Sequence, residues 1–158
     1  MKKVLVFGLV ALASVLAVNA QKGDFSIGAQ FNYASKNSMI GIGANLQYEF
    51  IKNVRVEPEF IYYLENDDIS AINANLNFHY LIRTGSGFVL YPLAGFSYAH
   101  FKDDAGIFSS DWDRFGANIG FGSEYRINER FRFYIEERFQ ILKDWNQSVT
   151  ALGLRYCF

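Results

Sequence analysis

Eight stretches of about ten residues, each alternating apolar with polar or small side chains at a period of two, fill most of this 158-residue chain. That spacing belongs to β-strands, in which successive side chains point to opposite faces; a helix needs a period of 3.6. The first stretch sets Phe25, Ile27, Ala29, Phe31 and Tyr33 against Asp24, Ser26, Gly28, Gln30 and Asn32. Further apolar series run from Ile40 to Phe50, Val54 to Leu64, Ile72 to Ile82, Phe88 to Tyr98, Phe115 to Tyr125, Phe131 to Ile141 and Leu152 to Phe158. Turn-forming segments such as Ser35 to Ser38 and Arg83-Thr-Gly-Ser-Gly87 separate them. At about 3.3 Å per residue and a tilt near 40°, roughly ten residues rise about 25 Å, the height of the apolar band of a barrel that spans a membrane. The spacing therefore predicts an all-β fold, an eight-stranded antiparallel up-and-down transmembrane β-barrel.

The competing closed sheet is a soluble, lipocalin-like periplasmic cup with its apolar face inward, and lumen size decides between the two. Eight strands enclose room only for side chains or one small ligand. With Phe 16, Tyr 10 and Trp 2, the apolar face carries too many rings to fit there. The other face has what a narrow interior requires: Gly28, Gly43, Gly116, Gly120, Gly122 and Gly153 beside long side chains of both charges. Arg55, Arg114, Arg126, Arg132, Arg138 and Arg155 stand on it with Glu49, Glu57, Glu59, Glu124 and Glu136. These are expected to form a lumen ion network, because buried charge has to be paired. Arginine suits that setting through forked carboxylate contacts. Every Lys and Asp after residue 20 falls instead in an expected terminus, loop or turn.

Tyr33, Tyr62 and Tyr98 near the ends of odd runs, and Tyr48, Tyr125 and Tyr156 near the ends of even ones, predict aromatic belts at opposite rims. One residue breaks the pattern. Glu137 falls on the apolar face and is expected either to be turned inward by a bulge or to sit near a rim, since mid-bilayer burial of a charge is costly. His79, among Asn73, Asn75 and Asn77, is expected to hydrogen-bond inside the lumen, and Cys157 to act as a small filler there.

Lys+Arg 15 against Asp+Glu 16 leaves a net charge of -1, so no basic field exists to hold nucleic acid. A single Cys and two widely spaced His residues, His79 and His100, offer no metal motif, and no cofactor is expected. Lys2 and Lys3, the apolar run Val4 to Val18 and the small-x-small Val18-Asn19-Ala20 have the form of an export signal. The run falls short of the roughly 20 residues a membrane helix needs. Residues 1–20 are expected to be a cleaved signal peptide and residues 21–158 the barrel domain, with Gln21 and not a lipid-carrying Cys directly after the cleavage point.

The signal, the eight amphipathic runs and the terminal Leu152-Gly-Leu-Arg-Tyr-Cys-Phe158 together resemble the small outer-membrane barrels of the OmpA/OmpX type. Tyr91-Pro-Leu-Ala-Gly-Phe-Ser-Tyr98 and Phe115-Gly-Ala-Asn-Ile-Gly-Phe-Gly-Ser-Glu-Tyr125 are similar to the fifth and sixth strands of such porin-family proteins. The resemblance implies a monomer in the bacterial outer membrane, in contact with outer-membrane lipids and lipopolysaccharide. It also implies insertion by a barrel-assembly machinery that reads Tyr156 and Phe158, with both termini on the periplasmic side. Outer loops then fall near residues 35–38, 65–68, 101–112 and 143–147, and their acidic character marks Asp103, Asp104 and Asp111 with Trp112 as a candidate extracellular interaction loop. The expected role is structural or surface-interacting, with a filled polar lumen, no general diffusion pore and no catalysis. The alternative is a lipid A-modifying enzyme of deacylase or acyltransferase type, in which His100 near Asp103, Asp104, Ser109 and Ser110 assists a hydroxyl.

Overall fold

A computed structural model describes residues 25–66, 68–103 and 110–158. The expected signal segment and, among the loop residues, Asp67, Asp104 and Ser109 lie outside the described residues. The strands are β1 (Phe25–Ala34), β2 (Met39–Ile51), β3 (Val54–Asn66), β4 (Ile69–Tyr80), β5 (Ile82–Arg83), β6 (Phe88–Asp103), β7 (Ser110–Arg126), β8 (Phe131–Leu142) and β9 (Gln147–Cys157). β5 continues β4 after a break at Leu81, whose backbone N–H donates to the Asn53 carbonyl at 2.7 Å, so the nine strands make eight staves. The hydrogen-bonded order is β4-β3-β2-β1-β9-β8-β7-β6, and an antiparallel β4–β6 pairing closes the ring. Closure leaves no unpaired sheet edge, the condition for putting backbone amides into hydrocarbon.

Local chemistry explains the connections. Asn53, Asp68 and Asp144 adopt φ of 67°, 62° and 60°, and Gly85 and Gly87 adopt 80° and 86°. These left-handed conformations are the ones tight turns need and the ones Asn, Asp and Gly tolerate best. Between the turns, aromatic and β-branched residues supply the outward face. Phe31, Phe96, Phe115 and Phe121 are the most exposed of these, at 67 to 73%, a display that in water would be an aggregation surface and in lipid is ordinary. The inward face buries Asn, Gln, Glu and Arg to a degree unusual for any other fold.

Three details depart from the sequence pattern. β6 and β7 stay paired through Phe101↔Trp112 and Asp103↔Ser110, so the connection between them is shorter than residues 101–112. Lys102, Asp103, Asp111 and Asp113 consequently lie in strands, where loops were expected: the hairpin carries its ladder past the apolar belt into the polar zone. Glu137 is the third. Its register, Phe121↔Glu137↔Thr150, is regular, and outward Phe131, Phe133 and Ile135 precede it on β8 while Phe139 and Ile141 follow. No bulge turns it inward; its register row continues from Thr150 to Tyr33, one of the outer-rim tyrosines, and a Thr150 hydroxyl donating to Oε2 supplies a local partner.

Candidate functional site

The lumen is layered. Toward the end opposite the termini, Ala34, Met39, Ile61, Tyr63, Ala71, Ala99, Phe101, Leu142 and Val149 converge in a buried apolar cap, with Trp112 and Trp145 packed against it. Below it lies a layer of amides, in which Asn118 Nδ2 donates to Asn77 Oδ1 at 3.0 Å and Gln140 Nε2 to Ser97 Oγ at 2.6 Å. The ionic layer follows, and beside it a smaller apolar cluster of Leu81, Tyr91 and Leu93.

Two carboxylates organise the ionic layer. Glu124 accepts from Arg55 at 2.9 Å, Arg155 at 3.0 Å and Arg132 at 2.8 Å, gathering guanidinium groups from three other strands. Glu59 and Arg138 meet as a fork, with Nη1–Oε1 and Nη2–Oε2 both at 3.0 Å, and Asn75 Nδ2 donates to Glu59 at 2.7 Å. Arg138 also reaches Glu136 at 2.9 Å, and Arg155 reaches Glu57 at 2.9 Å. Four guanidinium groups and four carboxylates therefore neutralise one another, all of them buried except Arg132, which is partly exposed. Their apolar surfaces are covered too: the Arg155 guanidinium lies 3.4 Å from the Tyr134 ring centroid, and Arg55 lies 4.8 Å from that of Tyr91.

Of the eleven charged residues expected in the lumen, the fold brings these eight together. Glu49 sits instead at the rim nearest the termini, paired with Arg83 of β5, which the sequence pattern places in a turn and gives no reason to include. Partial burial disfavours its charge, but hydrogen bonds from Arg83 and from the Asn53 N–H outweigh that and hold the Glu49 carboxyl below its ordinary value. Arg114 lies at the opposite end, donating to the Asp113 carbonyl at 3.1 Å, and Arg126 is exposed beside the turn after β7. Neither enters an ion pair among the described residues. Their strand positions have the right parity but lie beyond the reach of the central carboxylates.

His79 stacks on Tyr91 at 4.7 Å, and its Nδ1 accepts from Arg55 Nε at 3.1 Å. Polar atoms of His79, Glu57 and Glu136 all lie within 4.8 Å of one another, a spacing that a metal ion could bridge. The chemistry argues otherwise. With Nδ1 accepting, the neutral ring carries its proton on Nε2 and has no lone pair left to ligate, and the neighbouring arginines already neutralise the carboxylates.

At the far rim, His100 Nδ1 bonds Asp113 Oδ1 at 2.8 Å, and Tyr98 Oη donates to the same oxygen at 2.7 Å. These two bonds, His100 first, hold the Asp113 carboxyl below the usual carboxylate range. Ser97 Oγ accepts from Gln140 inside the lumen, and the side chains of Ser109 and Ser110 are not among those described. Asp103 and Asp111 stand at the ends of β6 and β7, and Trp112 stacks on Phe101 at 5.5 Å, so it serves the cap more than a free loop. At the other end, Phe158 N–H donates to the Phe25 carbonyl at 3.1 Å, and its ring lies 5.1 Å from Tyr156 and 5.4 Å from Phe25.

A closed ring of eight antiparallel staves, ring-rich outside and ionically packed inside, defines a small membrane-spanning β-barrel. The chain belongs to the outer membrane protein beta-barrel domain family, whose sequence profile matches residues 5–158. That membership places it in the bacterial outer membrane. No curated protein matches it by sequence. Among solved structures it is similar to the N-terminal barrel of Pseudomonas aeruginosa OprF, with a TM-score of 0.72 at 18% identity over 87% of this chain and 100% of that one. Neisserial surface protein A gives 0.73 at 17% identity over 88% and 100%. Ail, the attachment invasion locus protein of Yersinia pestis, gives 0.60 at 18% over 87% and 100%, and has also been solved with the heparin analogue sucrose octasulfate. At these identities the likeness is one of fold.

Proposed function

We propose that this chain is a non-enzymatic outer-membrane barrel whose lumen is a structural core and not a diffusion path, and whose outer rim contacts ligands at the cell surface. The observation that carries this reading is the complete burial of Arg138 and Arg155 in mid-lumen, beneath an apolar cap of nine residues. A general porin needs a wide aqueous channel, which eight staves cannot enclose. Reconstitution in planar bilayers tests it: the expected trace has no large, stable openings, and porin-like steps would overturn the closed lumen.

The same reading takes residues 1–20 as a cleaved export signal and the Tyr156 and Phe158 rings as the feature recognised during insertion. It places lipopolysaccharide around the rings and charges of the outer rim. The exposed outer residues Glu65, Asp68, Asp111, Asp113 and Asp144 outnumber Lys102 and Lys143, which favours a cationic or neutral surface ligand over a sulfated one of the kind bound by Ail.

A further inference from the structure

We infer that the outer end of β7 takes an extended, basic peptide segment of a surface partner as an added strand. The ring is closed through the apolar belt, and β7 runs on beyond it. Its ladder to β6 is unbroken from Phe88↔Tyr125 to Asp103↔Ser110, whereas its ladder to β8 begins only at Gly116↔Leu142. Ser110 to Phe115 therefore have a strand in register on one side alone. β8 stops there because the chain turns at Asp144, whose φ is 60°, and Trp145 folds back over the mouth onto Phe101 and Trp112, with ring centroids 4.8 and 6.3 Å apart.

Strand parity identifies the backbone groups left open. Along an antiparallel strand, alternate residues turn their N–H and C=O to opposite sides. Arg126 N–H donates to the Gly87 carbonyl on the β6 side and Ile127 N–H to the Phe131 carbonyl on the β8 side, so even-numbered residues of β7 face β6 and odd-numbered ones face away from it. The register to β6 does not shift from there to Ser110. Asp111 and Asp113 thus turn their N–H and C=O groups to the open side. Arg114 Nη1 donates to the Asp113 carbonyl at 3.1 Å, a side chain standing where the amide of a neighbouring strand would be. An open row of this kind is a template for another strand.

Charge selects that strand. Asp111 and Asp113 are exposed on the outward face of the same edge, beyond the Tyr98↔Phe115 pair. A segment laid along them sets every second side chain beside these carboxylates, so Lys or Arg at alternate positions is matched and Asp or Glu is repelled. A second copy of this edge would set the carboxylates against their own kind, which disfavours self-pairing and agrees with a barrel that stays single. The inference rests on the reading of the far rim as a ligand-contacting surface and gives that ligand a chemistry.

The test uses the full chain refolded into nanodiscs, with folding verified by heat-modifiable gel mobility and amide exchange followed by NMR. In the barrel alone, the Asp111 and Asp113 amides are expected to exchange at least about tenfold faster than those of Trp112 and Arg114, which the β6 ladder holds. A capped Val-Lys repeat peptide of about eight residues is expected to bind saturably and to slow exchange at Asp111 and Asp113. The same peptide methylated on its lysine backbone nitrogens, or a Val-Glu repeat, is expected to bind at least about tenfold more weakly. Asp111→Pro removes an N–H that the β6 ladder does not use, and is expected to fold and to lower affinity at least about tenfold; Asp111→Asn, which keeps the amide, lowers it by no more than about threefold. Amides at Asp111 and Asp113 already protected in the barrel alone would overturn the proposal, as would protection that rises with barrel concentration and no peptide, the mark of a second copy. Basic-peptide binding that ignores both N-methylation and Asp111→Pro would remove the edge and leave the charged rim as the ligand surface, whereas no binding by any Val-Lys peptide would count against both readings.

Discussion

Tyr91 and Tyr134 sit directly across from Gly122 and Gly153 in the strand register, and a Cβ added at either glycine would overlap the facing ring. The glycines therefore make room for rings that in turn cover Arg55 and Arg155. Gly153→Ala is expected to destabilise the barrel by about 1–3 kcal/mol through this overlap, read from urea unfolding in vesicles. Glu124 is the other sensitive residue, because Arg55, Arg132 and Arg155 all depend on it. Glu124→Gln keeps the shape but leaves three guanidinium groups short of charge, and about 3–5 kcal/mol of stability is expected to be lost in the same assay. A loss below about 1 kcal/mol would mean that water reaches this layer.

Among the elements, the β2–β3 connection shows how a rim is fastened. Asn53 supplies a left-handed turn, its N–H bonds the Glu49 carboxylate, and its carbonyl accepts from Leu81 where β4 gives way to β5. Arg83 closes the group from the neighbouring hairpin. The Glu49 carboxyl is held below its ordinary value in the folded barrel, so folding favours the ionised form. Its contribution is present above the unfolded value and fades as pH falls through the folded one. Wild type and Glu49→Gln should therefore differ in unfolding midpoint near neutral pH and converge in strongly acidic buffer; an acid-independent difference would remove the charge from the explanation. The β6–β7 hairpin shows the opposite tendency, extending its ladder beyond the belt so that His100, Asp113, Lys102 and Asp111 project outward above Tyr98 and Phe115.

For the whole molecule, the layering means that two independent fillings close one lumen. Removing part of the cap by Phe101→Ala is expected to cost about 3–5 kcal/mol and still to give no porin-like conductance, since the ionic layer beneath remains packed. Unfolding titrations and planar bilayers check the two halves of that statement separately.

The sequence by itself determined the closed sheet, the number of staves and which face meets lipid. Those follow from period, run length and ring content, all local properties of the chain. It also showed that Arg and Glu belong on the inner face, but not which of them meet. Glu124 joins Arg55 across 69 positions of sequence, and Arg138 joins Glu59 across 79, contacts that exist only once register and closure have set each strand against the others. The apolar cap had a legible trace, since Ile61, Tyr63, Ala99 and Phe101 interrupt the polar series near one end of their strands. Only the tertiary structure decided that they gather at one mouth of the barrel, that Arg83 and not one of the expected lumen arginines pairs with Glu49, and that Glu137 faces lipid. The ladder through β7, β8 and β9 fixes that last orientation, and side-chain parity cannot change along a regular strand without a bulge to change it.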